Sequence, residues 1–365
     1  MTSLSVIYSY SLMASSAFWG VLVIKFWATH EKLPGRHWLL IAGLLWPLLI
    51  FDEWIKYTEF TAMVWALGAS DFIAPVLMVC CYRAITLLVL EKPTYHRLLW
   101  LPVIATALLQ STLIFIPVAL RETWFEAAPS GSPVTWWPLY SVNLLVGFSV
   151  LFYSILMAER IQHYHRYLGE QVVDTGQYRI RRLSGVAGTC VGAGFASILL
   201  VTAATFGFFP VDFWQSLQHM LMALVILLLL AGLTTPRQTS PSPLDYERLE
   251  AGAAPEPEML DALQRAEQLI IDEKLYKKLG LTLKQFCVHA RTDPTLLAIS
   301  LRVLRQKSFR MWVFSYRLEY AKKVLLRTDT SISKVSRRLG IPSDTVLSDA
   351  LAKYAKQTSA VKNTV

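Results

Sequence analysis

Asp71, Arg83, Gln110, Asn143 and His219 stand in or beside long apolar runs of this chain, where ionisable or amide groups are costly unless they do something. Asp71 and Arg83 are twelve positions apart, about 18 Å along a helix, so they are two separate sites. Asp71 falls near one membrane surface, and Arg83 is long enough to reach the other. Both are read as candidates for ligand sensing or proton handling. Asn143, Gln110 and His219 are read first as helix–helix hydrogen bonds, with Asn143 and His219 kept as further ligand or sensor candidates. Other chemistry is thinly represented. A retinal-type photoreceptor needs a Schiff-base lysine inside its seventh helix, and the run 213–233 has none. His30, His37, His96, His163, His165 and His289 fall in loops, interfaces or the polar third, so no metal or haem site is expected. Cys80, Cys81, Cys190 and Cys287 form neither a disulfide framework nor a CxxC pair, and Cys80 and Cys81 read as small buried hydrophobes. No P-loop, HExxH, GxSxG, histidine-kinase or receiver pattern occurs, so no catalytic residue, no cofactor and no enzymatic activity are expected.

The elements that position these groups follow from hydropathy. A bilayer-crossing helix needs about 20 apolar residues. Runs of this kind lie at 5–27, 37–51, 72–90, 98–120, 138–157, 183–209 and 213–233, which predicts seven spans. The second is short and is extended to Trp54 by accepting Asp52 and Glu53 at its end. The apolar stretch 61–67 is too brief to span and reads as interfacial. The first run has neither the basic leader nor the cleavage site of a signal peptide and is expected to stay as a span.

Lysine and arginine in short loops mark the cytoplasmic side. With the N-terminus outside, Lys25, Lys32, Arg36, Lys92, Arg97, Arg160, Arg166, Arg179, Arg181 and Arg182 fall inside, against Lys56 and Arg121 outside. The odd number of spans then puts the C-terminal third in the cytoplasm.

That third differs in character. The whole chain carries a net charge of +9, yet residues 260–365 alone hold 20 Lys/Arg and 9 Asp/Glu. The asymmetry predicts a membrane part and a separate basic part. Between them, 234–257 contains five prolines with Ser, Thr, Gly and Ala, and reads as an extended tether. Met259, Leu263, Ala266 and Ile270 then recur at three- and four-residue steps, giving a helix with one apolar face that could dock on the following domain or on a second copy. Two helix–turn–helix patterns follow in tandem. In the first, Thr282 caps one helix, and Asp293 with Pro294 opens the next. A long helix starts at Ser308. In the second, Ser331 caps "ISKVSRRLG", Gly340 ends it, and "SDTVLSDALAKY" supplies the last helix.

From Leu281 to about Asn363 this arrangement resembles the DNA-binding domain of the AraC/XylS family of bacterial transcription regulators. The resemblance rests on Leu281–Leu283, Ser308 with Phe309, Arg317 with Ala321, Leu325 with Leu326, Ser331 with Ile332, Val335, Leu339 with Gly340, and Ser348. It implies DNA contacts by Thr295, Arg302, Arg305, Arg310, Arg317, Lys334, Arg337, Arg338 and Thr345. The chain departs from the family where Ile341 follows Gly340, where Asp344 and Asp349 carry acid, where Lys356, Ser359, Lys362 and Asn363 replace the closing pattern, and where Ala298 and Ile299 occupy places of polar base readers.

The expected protein is therefore all-α. A seven-helix transmembrane bundle (1–235) acts as sensor or anchor, a proline-rich linker (236–257) follows, and a cytoplasmic tandem helix–turn–helix domain (258–365) ends the chain. The resemblance implies a one-component regulator in a bacterial inner membrane, with DNA, the lipid bilayer, a second copy, and a signal ligand or membrane protein as partners. The alternative is a membrane receptor or tether whose altered helix–turn–helix domain binds a cytoplasmic protein.

Overall fold

The computed structural model describes residues 3–28, 35–90, 96–208, 213–235, 239–252, 254–327, 330–341, 345, 347–349 and 351–353. Among them every regular element is helical, and the chain divides into two compact units. The first comprises Met1–Leu88, Pro93–Gln162 and Ile180–Arg237; the second comprises Val89–Lys92, His163–Arg179 and Gln238–Val365.

The first unit is built from α1 (Ser3–Ala28), α2 (Arg36–Leu49), α3 (Phe51–Thr58), α4 (Ile73–Val89), α5 (Leu101–Ser111), α6 (Val118–Glu122), most of α7 (Trp137–Gln171), α8 (Arg181–Phe206) and α9 (Trp214–Thr234). Five helical stretches are long and apolar enough to cross a membrane: Ile7–Ala28, Arg36–Thr58, Trp137–Gln171, Arg181–Phe206 and Trp214–Thr234. The other two expected runs appear as shorter apolar helices, Ile73–Val89 and Arg97–Ser111. Helix α9 is apolar nearly all round, and such a helix belongs in a core. Trp46 of α2 is buried and donates from Nε1 to the Ala223 carbonyl of α9 at 3.0 Å. Gly194 of α8 lets α7 come close, because a Cβ there would lie 2.8 Å from the Leu151 backbone nitrogen.

Pro47 shapes the second span. It has no N–H, so the Gly43 carbonyl one turn earlier loses its helical donor, and the helix breaks at Ile50 (φ −102°, ψ 12°). Trp19 of α1 fills the gap by donating from Nε1 to the Gly43 carbonyl at 2.7 Å. The chain restarts as α3, with Asp52 and Glu53 in its first turn, where acid suits the positive end of the helix dipole.

The second unit begins with a correction. The predicted tether is folded wherever it is described (236–238 and 253 lie outside the described residues). Leu244, Tyr246 and Leu249 are buried in the core of this unit, and Asp245 caps α10 (Tyr246–Ala251) by accepting from the Arg248 N–H at 3.1 Å. Proline content suggested extension; three apolar side chains within six residues override it by burial. The unit also takes in 163–179, so its boundary is not Glu258.

Next come α11 (Glu256–Asp272), α12 (Leu283–Ala290), α13 (Pro294–Arg305), α14 (Phe309–Arg327) and α15 (Ile332–Arg338). The apolar face of α11, formed by Met259, Leu263, Ala266 and Ile270, is used inside this core and is not left for a second copy. Thr282 accepts from the Gln285 N–H and Asp293 from the Leu296 N–H, the two N-caps expected from sequence. Ser331 stands at the N-cap of α15 without a side-chain cap bond. Around α12 and α13 the core centres on Phe286, Phe309 and Trp312, with the Phe286 and Trp312 rings edge-on at 5.5 Å. A second, smaller core gathers Leu318, Ala321, Val335, Leu339, Ile341 and Leu347. Helix α14 belongs to both.

Candidate functional site

The first unit holds a buried polar cluster that the kink at Ile50 makes reachable. His219 of α9 lies between two carboxylates: its Nδ1 is 2.6 Å from Glu53 Oε1, and its Nε2 is 2.8 Å from Asp71 Oδ1. Glu53 is also held by the Tyr8 hydroxyl of α1, and Lys56 Nζ stands 3.8 Å from its Oε1 while donating to Ser216 Oγ at 3.4 Å. Asp52 accepts through Oδ2 from the Gly68 N–H at 2.7 Å. Asp52, Glu53, Asp71 and His219 are 1%, 0%, 3% and 4% exposed. Both ring nitrogens of His219 thus face a carboxylate oxygen.

Loop 67–72 positions Asp71. Gly68 turns it with φ of 77°, in the left-handed region, and Gln110 clamps it by donating to the Gly68 carbonyl at 2.6 Å and accepting from the Phe72 N–H at 2.8 Å. Arg121, buried, donates to the carbonyls of Trp65, Leu67 and Leu113. The two cations expected as outer loop charges, Lys56 and Arg121, are thus internal fasteners of this site.

Of the sensor candidates read from sequence, the structure joins Asp71 and His219. It leaves Arg83 and Asn143 elsewhere. Arg83 lies over the Trp38 ring at 5.8 Å, and Asn143 donates from its side chain to the Leu139 carbonyl of its own helix. Sequence reasoning missed Asp52 and Glu53, which it took for the polar end of a short span. The available signal was Pro47, which predicts a break and a fresh helix start just before two acids.

The basic residues of the second unit divide into two groups. Arg310, Lys334, Arg337, Arg338 and Thr345 are exposed. Arg302 is exposed but sits over the Tyr167 ring at 5.5 Å, and Arg305 pairs with Glu267, with Nη2 to Oε1 at 2.6 Å. Two predicted contacts are corrected. Thr295 is 4% exposed, enclosed with Ala298 and Ile299 in the core, and offers nothing to a groove in this arrangement. Arg317 is 1% exposed: its Nε donates to the Tyr276 carbonyl at 2.8 Å and Nη2 to the Lys278 carbonyl at 3.0 Å, with Asp174 Oδ1 3.7 Å from Nη1. Burial holds its pKa below the usual arginine value, and Asp174 works against that shift. It is a fastener of the fold, not a phosphate contact. Gly340 closes over it with φ of 65°, where a Cβ would meet Leu279 at 2.7 Å. Asp344 lies outside the described residues, as do Lys356, Ser359, Lys362 and Asn363; Asp349 is exposed.

No family model, no curated protein and no solved structure matches the chain.

Proposed function

We propose that the protein is a membrane-embedded one-component transcription regulator. Its first unit crosses a bacterial inner membrane seven times, with the N-terminus outside, and its basic unit works in the cytoplasm as an AraC-like tandem helix–turn–helix domain on DNA. One observation carries the reading. The 19-residue helix α14 is shared by two cores, the first holding α12 and α13 and the second holding α15, whose Arg337 and Arg338 are exposed. A helix–turn–helix lays its second helix in the major groove and its first against the backbone, and basic side chains on such a frame neutralise phosphates. The reading takes the shorter apolar helices Ile73–Val89 and Arg97–Ser111 as spans six and seven beside the five longer ones, and takes its orientation from the loop charge bias. A signal at the first unit would act by shifting the population of arrangements in which two basic units are offered to DNA.

The enclosure of Thr295, Ala298 and Ile299 favours a second reading, in which the basic unit docks on a cytoplasmic protein and the chain is a receptor or tether. Full-length protein in nanodiscs, mixed with duplex DNA of mixed sequence at 50 and 200 mM salt, separates the two. The regulator reading expects retention at low salt that falls steeply at high salt; absence of retention at both favours the receptor.

A further inference from the structure

We propose that Asp52, Asp71 and His219 form a binding site for a first-row transition-metal dication. One ligand atom from each of the three lies within 4.8 Å of the others, and all three residues are buried. Two observations beyond that grouping point to a ligand. Among the described residues, Asp52 Oδ1 and Asp71 Oδ2 are buried carboxylate oxygens with no hydrogen-bond partner, although the opposite oxygen of each is bonded. Gln215, one turn before His219 and on the same face of α9, is buried too, and its Oε1 accepts from no described residue. Three acceptor atoms left bare inside a bundle are a cost that a cation would remove.

The geometry suits such an ion. Ligand atoms about 2.0–2.1 Å from a tetrahedral ion stand about 3.3 Å apart, so widening the 2.8 Å contact between His219 Nε2 and Asp71 Oδ1 by about half an ångström admits it. Nδ1 keeps its bond to Glu53, the carboxylate–histidine arrangement that fixes a metal-binding imidazole in the correct tautomer. An imidazole with two carboxylates favours zinc, manganese or iron(II) over calcium or magnesium, which prefer oxygen-only shells. A cleft of about 500 Å³ lined by Gly68, Phe72, Gln110 and Arg121 lies beside the loop that carries Asp71.

This inference stands apart from the DNA reading, since its test measures metal and not DNA.

The test uses untagged full-length protein in nanodiscs, stripped with chelator and titrated calorimetrically with Zn²⁺ and Mn²⁺, with Mg²⁺ as contrast. The expected result is one ion per chain, with Mg²⁺ far weaker. Asp71→Asn and His219→Gln should each weaken binding at least tenfold, and Glu53→Gln by about 10–100-fold through the imidazole alone. If these variants fail to fold by circular dichroism, Co²⁺ added to the wild type gives a second readout: intense visible bands of a tetrahedral nitrogen–oxygen site. Absence of stoichiometric uptake and of those bands, or uptake unchanged in folded Asp71→Asn and His219→Gln proteins, overturns the proposal.

Discussion

Asp71 and His219, 148 residues apart in the chain, meet at 2.8 Å inside the first unit. Neither could be paired from sequence, because the contact depends on a helix break and a clamped loop rather than on spacing.

Removing His219 should therefore do more than delete one hydrogen bond. It leaves Asp71 and Glu53 facing each other in a dry interior, and breaking a buried charge pair costs on the order of 3–5 kcal/mol. His219→Ala should lower the unfolding midpoint in detergent clearly more than Asn143→Ala, whose side chain bonds only within its own helix. Equal losses would mean that the cluster is no stronger than an isolated amide.

Trp19 and Pro47 should be coupled through the Gly43 carbonyl. Trp19→Phe strands that carbonyl, at a cost of about 1–3 kcal/mol for a buried unsatisfied group. In a Pro47→Ala background residue 47 regains its N–H and the same change should cost much less. A double-mutant cycle by chemical unfolding measures the difference; additive effects would contradict the assigned bond.

In the basic unit, burial pushes the Cys287 thiol up to about 12. An unfolded thiol titrates near about 8.5, so the folded state holds its proton where the unfolded state loses it. This contribution to stability is complete below about pH 8 and declines as pH rises from there towards 12. Iodoacetamide at pH 8 should leave Cys287 unmodified in the native protein and modify it in denaturant, read by peptide mass spectrometry.

Orientation has its own check. A reporter active only in the cytoplasm, fused after Thr235, should be active, and one active only outside, inserted within 129–133, should be active too. The opposite pair of results would place the basic unit away from DNA.

The sequence made the helical class legible, because apolar runs and three- and four-residue periods are local signals. The caps at Thr282 and Asp293 were legible for the same reason. What it hid was tertiary. The stretch 236–257 reads as a tether by its prolines, yet Leu244, Tyr246 and Leu249 supply enough apolar surface to dock it. Arg317 looked like a phosphate contact because it is basic. Its place four residues from both Val313 and Ala321, in the apolar stripe of α14, was the sign that it faces inward. Asp52 and Glu53 looked like a span's polar end because the break at Pro47 was not followed into three dimensions.

The regulator reading is tested most directly by the salt dependence of DNA binding by the full-length protein, with Arg337→Ala/Arg338→Ala and Asp349→Arg as variants. Each phosphate contact contributes about −0.9 to the slope of log affinity against log salt, so losing both arginines should flatten that slope by about 2 and weaken binding to all sequences alike. Asp349 is exposed, and reversing its charge should tighten binding. Salt-steep binding changed in these two directions is the predicted result. Binding without a salt slope, or a folded protein on which neither variant acts, would contradict it.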